Sequence, residues 1–546
     1  MMLMFDLVTE GWLRARLSDA STPRPIGVRE VLHRAGDISE IVIDLPTQSP
    51  ALLRQVLLPV VVDALGVPAD RRAWAGRFAQ GAFSEAELDK LDAYLEEHRS
   101  RFDLFHPKTP FAQVAGLRTA KGETKGSGLL VAAEATGNNV PLFSARTEGE
   151  PPQLTPADAA MWLLHAQCWD TAAIKTGAVG DPVVKSGKTT GNPTGPLGQL
   201  GVVVPIGRTL YETLLLNIPI GVQGRLGRPQ WTRSIGPAWE SRTAQGLLEL
   251  WTWQARRIRL VPEQTADGVR VPGVIVAAGD RLAMTPDWEP HTAWRVDKPA
   301  KKTAKAAKSA KPVPQRPLRH APGKAIWRGM NALLAVEAEE TAAFRTSELL
   351  DQIRGLEVDG LIDDRYPLRA ETFGMVYGNQ SAIVEDVLHD LTPLPVAALR
   401  ADTDVRVAVL EATEQAEQLA QALNHLSADL RRASGLEPIP WDKGQRPGER
   451  LLYLLDPVVR RLLRGLQNTQ DPETVERGLA AWEEQARRLA LRVADSVHAA
   501  VPESVFAGRQ TRKPDGTAAA AYPLGVAVNE FHRRLNRILP RTGNER

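Results

Sequence analysis

The amino-acid sequence predicts an α+β protein in which a large mixed α/β N-terminal domain, residues 1–390, is followed by a C-terminal four-helix bundle, residues 391–546. Three observations carry this reading. Up to about residue 390, short β-branched runs interleave with helical stripes and with long Gly/Pro-containing stretches. From about residue 400 onward only helical periodicity remains. The length of 546 residues, 43% of them hydrophobic, suits two to four globular domains and excludes disorder over most of the chain.

Taken in order, Phe5–Leu13 and Ile41–Leu45 read as strands, and Ala51–Leu65 and Glu85–Glu96 as helices, the second capped by Ser84. Residues 121–156 are poorly periodic and rich in Gly, Thr, Asn and Pro, and loops of that length in compact domains are usually functional or disordered. Thr155 and Pro156 then supply an N-cap and a tolerated first-turn proline for a helix running to about Asp170. A second irregular stretch, Thr171–Gly201, is Gly-rich and carries Lys175, Lys185 and Lys188. It is followed by a strand at Val202–Ile206, a helix at Tyr211–Asn217, and strands at Trp251–Val261 and Val269–Ala277. Residues 298–320 form a Lys/Ala/Pro-rich tether that cannot bury apolar surface.

In the C-terminal region, Val475, Leu479, Trp482, Ala486, Leu489 and Val493 recur at spacings of three and four, behind Asp471 as N-cap and Pro472 at the first helical position. Leu419, Leu423, Leu426 and Leu430 make a second stripe, and Leu451–Leu466 and Val526–Leu539 complete a set of four. Amphipathic helices of this length joined by Gly/Pro-containing loops imply an up-and-down bundle.

Charge and cysteine content narrow the function classes. The chain carries 67 Lys+Arg against 65 Asp+Glu, but nine of those cations lie between Lys298 and Lys324, where there is no acid; setting them aside leaves 58 basic against 65 acidic residues. Positive charge is therefore local, and within a Debye length of about 8–10 Å local charge is what a polyanion meets. The lone Cys168 excludes a disulfide framework and a multi-cysteine metal site, and reads as a small buried hydrophobe on a helix. The apolar stretch from Ala51 to Val67 is broken by Arg54 and Asp63, and the opening residues are too short for an export signal, so no membrane span is expected and a cytoplasmic location is.

Catalytic signals are poor. Gly187-Lys188-Thr189 resembles the end of a phosphate loop, but Pro182 stands where that loop requires its first glycine. His389-Asp390 is a lone pair, read as polar residues on a helix surface, without a second metal-ligand cluster. A weak P-loop-like nucleotide hydrolase, a nuclease and a purely structural scaffold are thus the competing readings. Better supported is nucleic-acid binding: lysines among glycines permit close backbone approach and phosphate neutralisation. The turn Tyr377-Gly378-Asn379-Gln380-Ser381 offers two amides at its tip, suited to base edges or to a stacking position.

These pieces, in this order, resemble the large subunit of the type I-E CRISPR surveillance complex Cascade, the CasA family. The resemblance rests on Phe5-Asp6-Leu7-Val8-Thr9-Glu10-Gly11-Trp12-Leu13, on Phe102-Asp103-Leu104-Phe105-His106-Pro107 with Pro110-Phe111-Ala112-Gln113, on Ala135-Thr136-Gly137-Asn138-Asn139, on Tyr377-Gly378-Asn379-Gln380-Ser381-Ala382-Ile383, and on the terminal bundle. It implies a non-catalytic subunit, without cofactor or metal, acting in antiviral defence beside the 5′ handle of a guide RNA. Such a subunit reads the protospacer-adjacent motif in double-stranded DNA, helps open the duplex, and docks the separate helicase–nuclease. It works alongside the small-subunit dimer and the backbone subunit, and no membrane is involved. By the same resemblance Gln380, with Asn379 beside it, is the wedge. Ala173-Ile174-Lys175-Thr176-Gly177 is the minor-groove loop, where Ala173 and Lys175 depart from a more Gly-rich pattern and Lys175 is itself a candidate to enter the groove. Arg281, in Gly279-Asp280-Arg281, is the basic finger, placed by counting back from Trp288. The long loop from Gly137 to Pro152, with Asn139, Leu142, Phe143 and Ser144, is the element that engages the handle. The family's occasional cysteine cluster is missing, so no zinc is expected.

Overall fold

The computed structural model describes residues 3–132, 134, 152–296, 315–335, 343–434, 446–507 and 523–542. Two compact units are present: Met1–Lys324, Ala335–Ile362 and Leu368–Leu391 form a mixed α/β unit, and Ala325–Leu334, Asp363–Pro367 and Thr392–Arg546 a helical one.

In the mixed unit, β1 (Leu13–Leu17) is flanked by β2 (Arg24–Ile26) and β3 (Ile38–Val42). The expected strand at Phe5–Leu13 is instead a run of turns. Asp6 folds back so that its carboxylate accepts the Val8 N–H and the Thr9 hydroxyl, and extended pairing begins only at Leu13. The expected Ala51–Leu65 helix is a continuous helical run, α1, built from Gln48–Leu52, a π-type turn Leu53–Leu57, and Leu58–Leu65. Pro59 has no N–H to donate, so the ladder skips a residue: Leu58 N–H reaches the Leu53 carbonyl. Helix α2 (Glu85–Glu97) starts at a capping box formed by Ser84 and Glu87.

Helix α3 (Pro156–Trp169) begins at the Thr155 cap, whose hydroxyl accepts the Asp158 N–H at 3.1 Å, and ends at Asp170. Most of its side chains are buried, Cys168 among them, and burial pushes the Cys168 thiol up to about 12. Short strands β4 (Lys125–Gly126), β5 (Lys175–Thr176) and β6 (Lys188–Thr189) join β8 (Arg256–Thr265) and β9 (Gly268–Ala278) in one sheet, in which β9 pairs with β4, β5 and β8. The strand expected from Trp251 starts only at Arg256, because Leu247–Trp251 is a buried helical turn. A third sheet has the order β11-β10-β7, from β7 (Val202–Ile206), β10 (Arg369–Gly378) and β11 (Ile383–Pro393). Most of the tether lies outside the described residues. Its end does not: Gln315–Pro317 is a strand paired with Trp294–Val296.

Four long helices make the helical unit: α4 (Asp404–Ala433), α5 (Pro447–Leu466), α6 (Pro472–Ala499) and α7 (Leu524–Ile538). α4 packs on the other three, and α5 on α6. Leu419, Leu423, Leu426 and Leu430 are buried, as are Val475, Leu479, Trp482, Ala486 and Val493, and the Asp471 carboxylate accepts the Thr474 N–H at 2.9 Å. Two segments upstream of residue 390 also belong here. Trp327 donates to Asp456 at 2.9 Å, Arg328 pairs with Glu417, and Gln470 bonds Asp364.

Candidate nucleic-acid interface

Strands β10 and β11 are joined by a turn whose conformation is costly. Asn379, Gln380 and Ser381 all have positive φ, at 35°, 57° and 59°. Asn tolerates this region; Gln and Ser adopt it at a cost of order 1 kcal/mol each, and such strain gathers at functional sites. Gly378 itself is not in the left-handed region. A Cβ there would meet the exposed Glu385 side chain across the hairpin, which would have to turn aside. The turn is closed by the Ala382 N–H, 3.2 Å from the Gly378 carbonyl and 3.1 Å from that of Asn379. Beside the turn the Tyr377 hydroxyl donates to the Trp169 carbonyl at 2.7 Å. Both Asn379 and Gln380 are exposed, and among the described residues neither side-chain amide has a hydrogen-bond partner.

The segment after α3 is stitched to this turn: the Ala172 N–H donates to the Ser381 carbonyl at 2.7 Å. The two elements expected to touch nucleic acid are therefore adjacent, although about 200 residues separate them in sequence. Between them opens a cleft of about 910 Å³ whose lining includes Ala173, Ile174, Thr176, Asn379 and Gln380. Ile174 stands 61% exposed at the loop tip. Gly177 is needed for contact, since a Cβ there would sit 2.9 Å from the Gly187 carbonyl carbon, and its N–H donates to the Gly187 carbonyl at 2.8 Å.

Lys175 is not presented to a groove. It is 7% exposed, and its ammonium lies 2.6 Å from Asp170 Oδ2. The same carboxylate takes the Arg256 Nε–H, and Arg256 Nη2 donates to the carbonyls of Thr171 at 2.7 Å and Pro193 at 2.8 Å. Burial alone would raise the Asp170 carboxyl, but Lys175 and Arg256 outweigh it and hold it at about 2; burial lowers the Lys175 ammonium, with Asp170 opposing. Lys175 and Arg256 thus fix the loop from inside, and the loop's exposed surface is apolar and backbone.

Arg281 is likewise committed. Its Nη2 donates to the Thr190 carbonyl at 2.9 Å and to Asn192 Oδ1 at 3.3 Å, and its guanidinium stacks 3.7 Å over the Trp239 ring. It buttresses residues 190–192, which line the cleft, with its head group held against the protein rather than extended from it.

Comparison with known proteins decides the family. The family model for the CRISPR-associated protein Cse1 matches residues 6–493. The chain belongs to the Cse1/CasA family. It is 30% identical over 444 residues to the CRISPR-associated protein CasA/Cse1 of Thermus thermophilus, covering 79% of this chain and 78% of that one. It is also similar to two crystal structures of Cse1. For the protein from Acidimicrobium ferrooxidans the TM-score is 0.79 at 30% identity, covering 98% of this chain and 99% of that one. For the Thermobifida fusca protein it is 0.79 at 32% identity, covering 98% of each.

Other expected features of this Cse1/CasA chain resolve as structure. Gly187-Lys188-Thr189 is a hairpin turn and strand in which Lys185 and Lys188 bond each other's backbones, so those N–H groups do not converge on a phosphate. His389 lies on strand β11, not on a helix, and bonds Glu371 at 2.7 Å. No group of three or more His, Cys, Asp or Glu side chains among the described residues is arranged to hold a metal ion, and no described helix is long and apolar enough to cross a membrane. Gln113 of the Pro-Phe-Ala-Gln string is a scaffold residue: its amide donates to the Leu104 carbonyl and accepts the Leu260 N–H, both at 2.8 Å. Asn139, Leu142, Phe143 and Ser144 lie outside the described residues. The Asp170–Arg256 frame escapes sequence reasoning because its members are 86 residues apart and sit in no motif.

Proposed function

We propose that this chain is the large subunit of a type I-E CRISPR RNA-guided surveillance complex, and that it reads the protospacer-adjacent motif as duplex DNA and opens the duplex beside it. The single observation that carries this is the Ala172–Ser381 hydrogen bond, which sets the 173–177 loop and the free amides of Asn379 and Gln380 on one cleft. The loop rests against the minor groove through Ile174 and backbone. The strained turn presents Gln380 at the first base pair, where an inserted side chain offsets part of an unstacking cost of a few kcal/mol per step. Guide pairing then reads the sequence. The chain makes and breaks no covalent bond in this scheme and carries no cofactor. The loop containing Asn139 and Leu142–Ser144 contacts the guide's 5′ handle. The small-subunit dimer and the backbone subunit complete the complex, which recruits the helicase–nuclease in the cytoplasm.

The test is the Asn379→Ala/Gln380→Ala double variant in the assembled complex. Assembly with guide RNA should be unchanged, while stable binding of motif-containing duplex falls at least tenfold and binding to the single-stranded target is retained. Unchanged duplex binding would instead assign the chain a scaffolding role.

A further inference from the structure

The hairpin that follows the cleft loop carries an arrangement no part of the fold explains. Lys185 and Lys188 flank a two-residue turn, Ser186 and Gly187, with φ of 50° and 71°. That is the conformation of a tight turn whose twist matches its strands. The two lysines exchange both backbone bonds, each at 3.0 Å, so their side chains leave the same face from Cα atoms about 5.5 Å apart. Thr176 is paired with Lys188 on its other side, which sets Thr176, Lys188 and Lys185 in one row. Thr176 lines the cleft, as do Lys175 beside it and Thr190, two residues beyond Lys188, so the hairpin carrying Lys185 and Lys188 rises from the rim of the cleft. The intervening pair, Lys175 and Thr189, points to the opposite, buried side.

Two ammonium groups held directly opposite in a ladder repel each other. Nothing among the described residues relieves this: both lysines are exposed, and neither pairs with a described carboxylate. The nearest acid in sequence, Asp181, is buried and accepts the Val183 N–H at 3.0 Å. The pair costs stability in the isolated chain and has the geometry to hold one bridging anion.

We infer that Lys185 and Lys188 form a two-ammonium clamp on a single backbone phosphate of the duplex that the cleft receives. The inference rests on the duplex-binding reading above. The contact is with phosphate, so it adds affinity on any sequence and none of the motif preference.

The experiment compares Lys185→Ala, Lys188→Ala, the double variant and Lys185→Arg/Lys188→Arg in the assembled complex, measuring binding of motif-containing duplex from 50 to 200 mM salt. One shared phosphate predicts that the slope of log K against log salt falls by about 0.9 in the double variant, so that wild type loses about three- to fourfold more affinity across that range. Each single variant should lose most of that difference, and the arginine pair should keep it. An unchanged slope in the double variant overturns the clamp, as does a fall twice as large, which would mean two independent contacts. Running Asn379→Ala/Gln380→Ala alongside separates the failures. Lost opening there with unchanged lysine slopes sinks only the clamp, whereas a lysine effect with normal opening keeps the clamp and sinks the wedge.

Discussion

In the helical unit one buried carboxylate, Glu483, is neutralised by a partly exposed cation, Arg541. In the cleft one carboxylate, Asp170, neutralises two buried cations, Lys175 and Arg256. Glu483 is wholly buried, and Arg541, brought in by a short turn after α7, pairs with it at 2.7 Å and also with Glu411 at 2.6 Å and Glu476 at 2.7 Å. Those ion pairs tie helices together whose apolar stripes already specify their packing. The Asp170 cluster acts on backbone instead: Arg256, paired with Asp170, takes the Thr171 and Pro193 carbonyls, while Arg281 and Asn192 take those of Thr190 and Ala173. Charge thus reinforces packing the bundle already has, whereas in the cleft it helps fix loop backbone that no apolar stripe specifies.

Five substitutions separate the two roles of charge. The largest effect is expected for Asp170→Asn, which leaves two buried cations without an anion. Removing one partner of a buried ion pair typically costs about 3–5 kcal/mol, and here loss of the loop conformation should accompany it. Denaturant unfolding, with hydrogen exchange at Ala172 and Gly177, would check both. Arg541→Ala should destabilise the helical unit by about 3 kcal/mol because Glu483 stays buried, whereas Glu476→Gln, at a 60% exposed partner, should cost under about 1 kcal/mol. Equal losses from these two would refute the assignment of Glu483 as the group that matters.

Acid titration comes next. Burial holds the His165 imidazole, 2.9 Å from the Thr47 hydroxyl, down to about 3, against 6.5 for a free side chain. The unfolded chain therefore binds a proton that the folded chain refuses, and stability of the mixed unit falls as pH drops from about 6.5 toward 3. Asp170, held at about 2 against 3.8, adds a further loss as pH falls through that lower window. His165→Gln should reduce the loss in the first segment, which His291 and His320, also lowered by burial, share, and leave the second unchanged. The smallest effect is a null: Lys175→Met, which removes an ammonium already paired with Asp170, should leave the salt slope of duplex binding unchanged, in contrast to Lys185 and Lys188. A reduced slope would put Lys175 back in contact with phosphate.

What is legible in the sequence follows from the range of the interactions that write it. The helices of the bundle are readable because their stripes, the Asp471 cap and the Pro472 start are local features. Thr155-Pro156 and Ser84 announce α3 and α2 for the same reason. The amide turn is legible as chemistry through Asn379 and Gln380, but not its strain, which depends on strands β10 and β11 closing over it. Lys175 and Arg281 mislead because a cation looks the same in sequence whether it faces solvent or a partner 5 residues away, as Asp170 is from Lys175, or about 90 away, as Thr190 and Asn192 are from Arg281. Cation partners set by tertiary structure leave no periodic trace. The strand start at Leu13 is hidden for a related reason: Asp6 satisfies the backbone locally and delays pairing.

Contact between the amide turn and the first base pair beside the motif separates a wedge from a scaffold. A 2-aminopurine placed at that position in a motif-containing duplex, mixed with the assembled complex, reports unstacking directly as fluorescence. We expect a rise with the wild-type chain that is abolished by Asn379→Ala/Gln380→Ala while guide-loaded complex still forms; the same rise with the double variant would contradict the wedge.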